Sequence, residues 1–253
     1  LMLSDPVSTY LPAFAQLQVA QFDGDRMTLH PMRQQPTIHD LLRHTAGLTY
    51  AFLDDGPMQR MYVKACLRGG SFDTDGFIDA LAGLPLAFQP GSTWEYSHAT
   101  DVLGAVIEAV TGQRLGVFLE QSICGPLGMV DTGFWTPPEK QQRLAEPLAA
   151  DIPLLPMPLL DPRKPPPMDG GGSGLMSTAM DYARFLQCLL NGGVLDGQRI
   201  ASPHTVRLMT HDHVGSIPQN VSQFGGQMLT PGIGLGLGFA VRMAEGLEDL
   251  PGS

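Results

Sequence analysis

Pro90-Gly91-Ser92-Thr93-Trp94-Glu95-Tyr96-Ser97-His98 is the stretch on which the reading of this chain turns. Val102, Leu103, Val106, Ile107 and Val110 follow it at helical spacing, and Thr111-Gly112 closes the pattern. The segment therefore delivers one tyrosine to the mouth of a long amphipathic helix. A free phenol has a pKa of about 10, so a tyrosine used as a base needs help to lose its proton. A helix N-terminus supplies some, because its dipole favours the phenolate. A neighbouring lysine would supply more. By residue type alone, Tyr96 reads equally as a core or interface side chain.

On the N-terminal side, Thr37-Ile38-His39-Asp40 has the form of a capping box, with a threonine hydroxyl and an acid three residues on. It predicts a short helix through Leu41, Leu42 and His44 that stops at Gly47. Residues 1–36 read as loop and irregular structure. Thr74 opens a second pattern, with Phe77, Ile78, Leu81 and Leu84 at helical spacing. Downstream, a helix is expected over 114–123. Eight prolines between residues 145 and 168 exclude helix there, and Pro165-Pro166-Pro167 predicts extended chain. Leu154, Leu155, Met157, Leu159 and Leu160 in that stretch are apolar enough to wall an acyl pocket, although a plain surface connection fits as well.

Asp169-Gly170-Gly171-Gly172-Ser173-Gly174-Leu175-Met176 leads into another helix. Thr178 and Asp181 form a second capping box; Tyr182, Phe185, Leu186, Leu189 and Leu190 make its apolar stripe, and Asn191-Gly192-Gly193 ends it. Ser202-Pro203 opens one more helix. Leu235, Leu237, Phe239, Val241 and Met243 alternate with small or polar residues, which predicts a single strand over 235–243.

Composition narrows the function classes. The 253 residues are 43% hydrophobic and 16% charged, which suits a well-buried enzyme and not a disordered chain. The net charge is -10 with 15 scattered Lys and Arg, so there is no footprint for nucleic acid. No apolar run reaches the length of a membrane span, no signal-peptide pattern is visible, and no membrane partner is expected. Cys66, Cys124 and Cys188 are odd in number and far apart, so reduced buried thiols are expected and not a disulfide framework. A cytoplasmic setting is expected over a periplasmic one; oligomeric state is left open. His211-Asp212-His213 could offer metal ligands but lacks a matching third group. No Gly-x-Ser-x-Gly elbow and no Gly-x-Gly-x-x-Gly loop occurs.

Three segments together resemble the serine hydrolases of the class C β-lactamase and penicillin-binding-protein superfamily, and most of all its family VIII carboxylesterases. They are the Tyr96-Ser97-His98 stretch, Thr37-Ile38-His39-Asp40-Leu41-Leu42-Arg43-His44-Thr45-Ala46-Gly47-Leu48, and Gly171-Gly172-Ser173-Gly174-Leu175-Met176-Ser177-Thr178. They come in the family's order. The resemblance implies an α+β, β-lactamase/transpeptidase-like fold with a helical subdomain over about 37–168. Residues 1–36 and 169–253 would then belong to the α/β subdomain and its antiparallel sheet. It implies that Tyr96 is catalytic, that Tyr50, His98 and Ser173 bind substrate, and that His44 and Thr45 hold local backbone. Class C β-lactamases carry asparagine where this chain has His98, which points to the esterase branch. The partner is a small ester substrate, and no cofactor is needed.

The same resemblance implies a nucleophile in a Ser-x-x-Lys motif, and none occurs in these 253 residues. The C-terminal Trp-Gly-Gly-type segment is missing too. The expectation is therefore an internal stretch of a longer polypeptide, with the nucleophile before Leu1, an incomplete sheet and exposed edges on strand 235–243. β-Lactamase, D-Ala-D-Ala peptidase, acyltransferase and non-catalytic binder remain as alternatives.

Overall fold

The computed structural model describes residues 1–24, 26–67, 71–146, 161–220, 229–230 and 232–243. The chain opens with 3-10 turns at Val7–Thr9 and Pro12–Gln16 and then a hairpin, β1 (Gln18–Asp23) and β2 (Arg26–Pro31). The two strands pair antiparallel from Gln18 opposite Pro31 to Asp23 opposite Arg26. This corrects the reading of 1–36 as irregular. Every residue of β2 is exposed, so the ladder carries no apolar alternation that a sequence could display.

The helices are α1 (Ile38–Leu42), α2 (Pro57–Ala65), α3 (Thr74–Ala82), α4 (Ala99–Thr111), α5 (Leu115–Leu119), α6 (Ala179–Leu190) and α7 (Pro203–Met209). A π turn, Glu120–Cys124, continues α5. The Thr37 box is complete: the Thr37 hydroxyl accepts from Asp40 N at 3.1 Å, and Asp40 Oδ2 accepts from Thr37 N at 3.0 Å. Yet α1 stops at Leu42, well before Gly47, because His44 turns into the left-handed region at φ 57°. α2 has no apolar stripe that a sequence reading would register, since its buried anchors are only Met58 and Tyr62. α4 ends as expected, with Gly112 left-handed at φ 67°.

The main core joins the N-terminal segment to the helices. Val7, Phe14 and Val19 pack in one cluster with Ile38 and Leu41 of α1, Phe77 and Leu81 of α3, and Val102 and Val106 of α4. On α4 the predicted stripe divides: Val102 and Val106 are buried, while Val110 is exposed.

Beyond α6 the elements are short. The second capping box is half made. Thr178 accepts from Asp181 N, but the Asp181 carboxylate reaches across to Asp131 N and the Thr132 hydroxyl. The α6 stripe is largely uncovered: Leu189 is buried, whereas Tyr182, Leu186 and Leu190 are exposed. β3 (Val194–Leu195) and β4 (Gln198–Arg199) form a two-residue ladder. The strand expected over 235–243 is instead a hairpin, β5 (Ile233–Leu235) with β6 (Ala240–Arg242). Gly236 and Gly238 let the chain reverse between them. Among the described residues the strands form three separate two-stranded ladders and no larger sheet.

Among the described residues no single helix is long and apolar enough to cross a membrane. The thiols are free, but Cys66 is exposed at the end of α2, unlike buried Cys124 and Cys188. Of the proline-rich stretch, 161–168 carries no helix, and Leu154, Leu155, Met157, Leu159 and Leu160 lie outside the described residues.

Candidate active site around Tyr96

The segment carrying Tyr96 is gripped from both sides. After α1, Asp40 accepts from Arg43 Nη2 at 2.9 Å and from the Thr45 hydroxyl at 2.8 Å. That network holds the sharp turn at His44, which presents two carbonyls to the next motif. His44 O accepts from Glu95 N at 3.1 Å, and Thr45 O accepts from Gly91 N at 2.8 Å. From the other side, Trp94 N donates to Pro218 O at 2.7 Å and Asn220 N donates to Trp94 O at 3.0 Å. The first two sequence motifs thus dock onto each other through backbone, and the 218–220 segment closes the flank. Glu95 is buried there, takes a hydrogen bond from Asn220 Nδ2, and has its carboxyl pushed up by burial.

Tyr96 itself is half-buried, three residues before α4 begins. Its ring lies 5.0 Å from the His44 ring and 5.1 Å from the Tyr50 ring. His44 Nδ1 is 3.2 Å from the Ser97 hydroxyl. Burial pulls the His44 pKa down to about 4, so its imidazole is neutral at ordinary pH. Burial also drives the Tyr50 phenol far above its usual range, with the Asp101 charge adding to the effect. Tyr50 therefore keeps its proton at ordinary pH. The structure brings these two tyrosines together, a contact that the sequence reading did not anticipate.

His98 is only 7% exposed. Its ring sits 4.3 Å from Tyr50 and 5.5 Å from Phe77. Nδ1 donates to Asp101 Oδ2 at 2.8 Å. That environment packs His98 against two aromatic rings and leaves it little open surface.

Ser173 lies exposed on the turn 170–174, which rests directly on α4. The glycines are required by contact. A Cβ on Gly171 would stand 2.0 Å from Thr100 O, and one on Gly172 would stand 3.0 Å from both Asp101 Oδ1 and the Tyr50 hydroxyl. Gly172 N donates to Asp101 Oδ1 at 2.9 Å. Beside this turn runs a mostly apolar cleft of about 380 Å³, walled by Leu103, Ile107, Leu115, Leu119 and Phe134. Asp101 is the site residue that motif reading missed; its signal is the three-residue spacing from His98.

Among the described residues no three His, Cys, Asp or Glu side chains are grouped to hold a metal. Asp212 accepts from the backbone of Val214, Gly215 and Leu235, and His213 pairs with His39 at 2.9 Å.

The fold is β-lactamase/transpeptidase-like: among the described residues, a helix-rich body with small antiparallel ladders. The solved structure of EstCE1, described as a hydrolase with promiscuous acyltransferase activity, superposes with a TM-score of 0.72 at 30% identity, over 98% of this chain and 64% of that one. The chain belongs to the Beta-lactamase family, whose profile matches residues 1–247. It is 37% identical to Protein Rv1367c of Mycobacterium tuberculosis over 95% of its own length and 60% of that protein's. It is 40% identical to esterase EstB of Burkholderia gladioli over 53% of its length and 32% of EstB's. The chain thus spans under two thirds of these relatives.

Proposed function

We propose that the polypeptide to which this chain belongs hydrolyses small carboxylic esters through an acyl-enzyme, with Tyr96 as its proton-transfer group. The observation that carries the proposal is the setting of Tyr96. It is half-buried at the mouth of α4, fixed by two backbone braces and packed against a neutral imidazole and a phenol that holds its proton. Such a side chain is positioned before substrate arrives, which is what proton transfer at a reacting oxygen demands.

The chemistry runs in two halves. The serine of a Ser-x-x-Lys motif, which the family resemblance supplies, attacks the ester carbonyl as its proton passes towards lysine and Tyr96. Tyr96 returns a proton to the departing alkoxide, so the C–O bond to the alcohol breaks as the acyl–serine bond forms. Water then gives its proton to the same group and attacks the acyl carbon, which frees the acid and the serine. Backbone N–H groups hold the oxyanion in both halves. The esterase among the similar proteins supports this reading.

The test is Tyr96→Phe in the full-length protein. Turnover of a p-nitrophenyl ester should fall by about 10²–10⁴-fold. The midpoint of thermal unfolding should stay nearly fixed, because the ring remains. Unchanged turnover would remove Tyr96 from the mechanism.

A second reading is acyl transfer to an alcohol in place of water, supported by the description of EstCE1. Competition between water and an added alcohol separates the two, since a transferase yields mostly the new ester. Cephalosporin turnover would instead favour the β-lactamase alternative.

A further inference from the structure

We propose that Asp101 is a positioning residue, which fixes the gap between the Tyr96 segment and the turn that carries Ser173. The proposal rests on the ester-hydrolase reading of the site only where it predicts kinetics.

Asp101 lies in the first turn of α4 and is 8% exposed. A carboxylate there would ordinarily stay in water, close to the positive end of the helix dipole. Burying it costs several kcal/mol unless its oxygens are bonded. Here each oxygen takes one N–H, and the two come from different walls. Oδ2 accepts from His98 Nδ1 at 2.8 Å, in the Tyr96-Ser97-His98 segment. Oδ1 accepts from Gly172 N at 2.9 Å, in the turn next to Ser173. One side chain thereby ties both walls to the same helical turn.

The two ends differ in how else they are held. His98 packs against Tyr50 and Phe77, and the backbone just before Tyr96 is braced, Glu95 N to His44 O and Trp94 to Pro218 and Asn220. Gly172 is held differently: the ends of its turn are tied at Asp169, which accepts from Arg114 and from Gly116 N, and at Met176, which pairs with Gly133, and between those ends Asp101 takes the Gly172 N–H. The Gly172 neighbours Thr100 Oγ1, Asp101 Oδ1 and the Tyr50 hydroxyl set how near the backbone can come, since a Cβ would meet them at 2.9 to 3.0 Å. Contact limits approach, and the Asp101 bond prevents retreat. Losing Asp101 should therefore leave Tyr96 in place and release the Ser173 turn. The damage falls on substrate fit and not on proton transfer.

Asp101→Ala removes both bonds. Asp101→Asn can keep them: its oxygen accepts from Gly172 N, and its amide donates to His98 Nδ1 in the other imidazole tautomer. In the full-length protein, Asp101→Ala should speed hydrogen exchange at the Gly172 amide by about tenfold or more, the size of one lost charged hydrogen bond. KM for a p-nitrophenyl ester should rise by about tenfold while kcat stays within about threefold. Asp101→Asn should restore both values to within about threefold of the parent. Should Asp101→Ala not fold, Asp101→Ser, which cannot span both N–H groups, carries the same expectation.

Gly172 exchange that stays slow without Asp101 would overturn the proposal. So would a fall in kcat with KM unchanged, or an asparagine variant as impaired as the alanine one. Exchange needs no turnover, so it still decides the matter if Tyr96→Phe shows the hydrolase reading to be wrong.

Discussion

The surroundings of Tyr96 and the stretch from α6 to β6 are built on opposite plans. Around Tyr96, buried apolar side chains from the N-terminal segment, α1, α3 and α4 form one cluster, and polar groups such as Asp40, His44, His98 and Asp101 are buried with partners. From residue 179 on, Cys188, Leu189, Val214 and Leu237 are the buried hydrophobics among the described residues. Met180 and Leu190 are 73% and 81% exposed. The first region pays in desolvated polar groups for a fixed geometry, which suits a site that must be ready before its substrate binds. The second holds its helices with caps and short ladders and leaves apolar surface open.

The sharpest way to break that contrast is a cavity in the core behind α1. Leu41 is fully buried in α1, one residue from the Asp40 network. Leu41→Ala should cost about 2–5 kcal/mol, read as a drop in the urea midpoint at constant m-value. A loss below about 1 kcal/mol would mean the core relaxes around the gap and is not tightly packed.

A second test uses pH. Burial lowers the His44 pKa to about 4 in the fold, against an ordinary histidine value of 6.5. The unfolded chain therefore binds more protons between those values. Stability contributed by keeping His44 neutral is fully present above pH 6.5 and is lost as pH falls towards 4. The size is about 3 kcal/mol as an order of magnitude. Glu95 works against it: its raised carboxyl makes the fold favour the proton, so stability from that group declines as pH rises through its range. The difference between parent and His44→Asn is the clean readout. Across pH 4 to 6.5 the variant's unfolding free energy should vary less steeply than the parent's. Parallel curves would mean that His44 is solvated and does not pack as described.

How much of this was legible beforehand follows from the same division. The Thr37 box and α4 with its Gly112 stop were readable, because caps and apolar periods are local signals. The β1–β2 hairpin escaped because β2 is exposed throughout, and α2 because only Met58 and Tyr62 anchor it. The end of α1 was misplaced because His44 adopts a positive φ that tertiary hydrogen bonds hold and sequence does not announce. Asp101 escaped because its second partner, Gly172, lies 71 residues away. The alternation over 235–243 was real but hid a reversal at the glycines.

The smallest expected effect tests the open side of the comparison. Leu190 belongs to the stripe that the sequence assigned to a buried face, yet it is 81% exposed. If that exposure holds in the whole protein, Leu190→Ser removes surface that water already covers, and unfolding free energy should change by no more than about 0.5 kcal/mol. Apolar surface of that kind favours self-association, so the variant should also stay monodisperse to higher concentration in light scattering. A loss of about 2 kcal/mol or more would have a different meaning. It would show that another part of the polypeptide buries this helix face, and that the region beyond α6 is as firmly packed as the one that holds Tyr96.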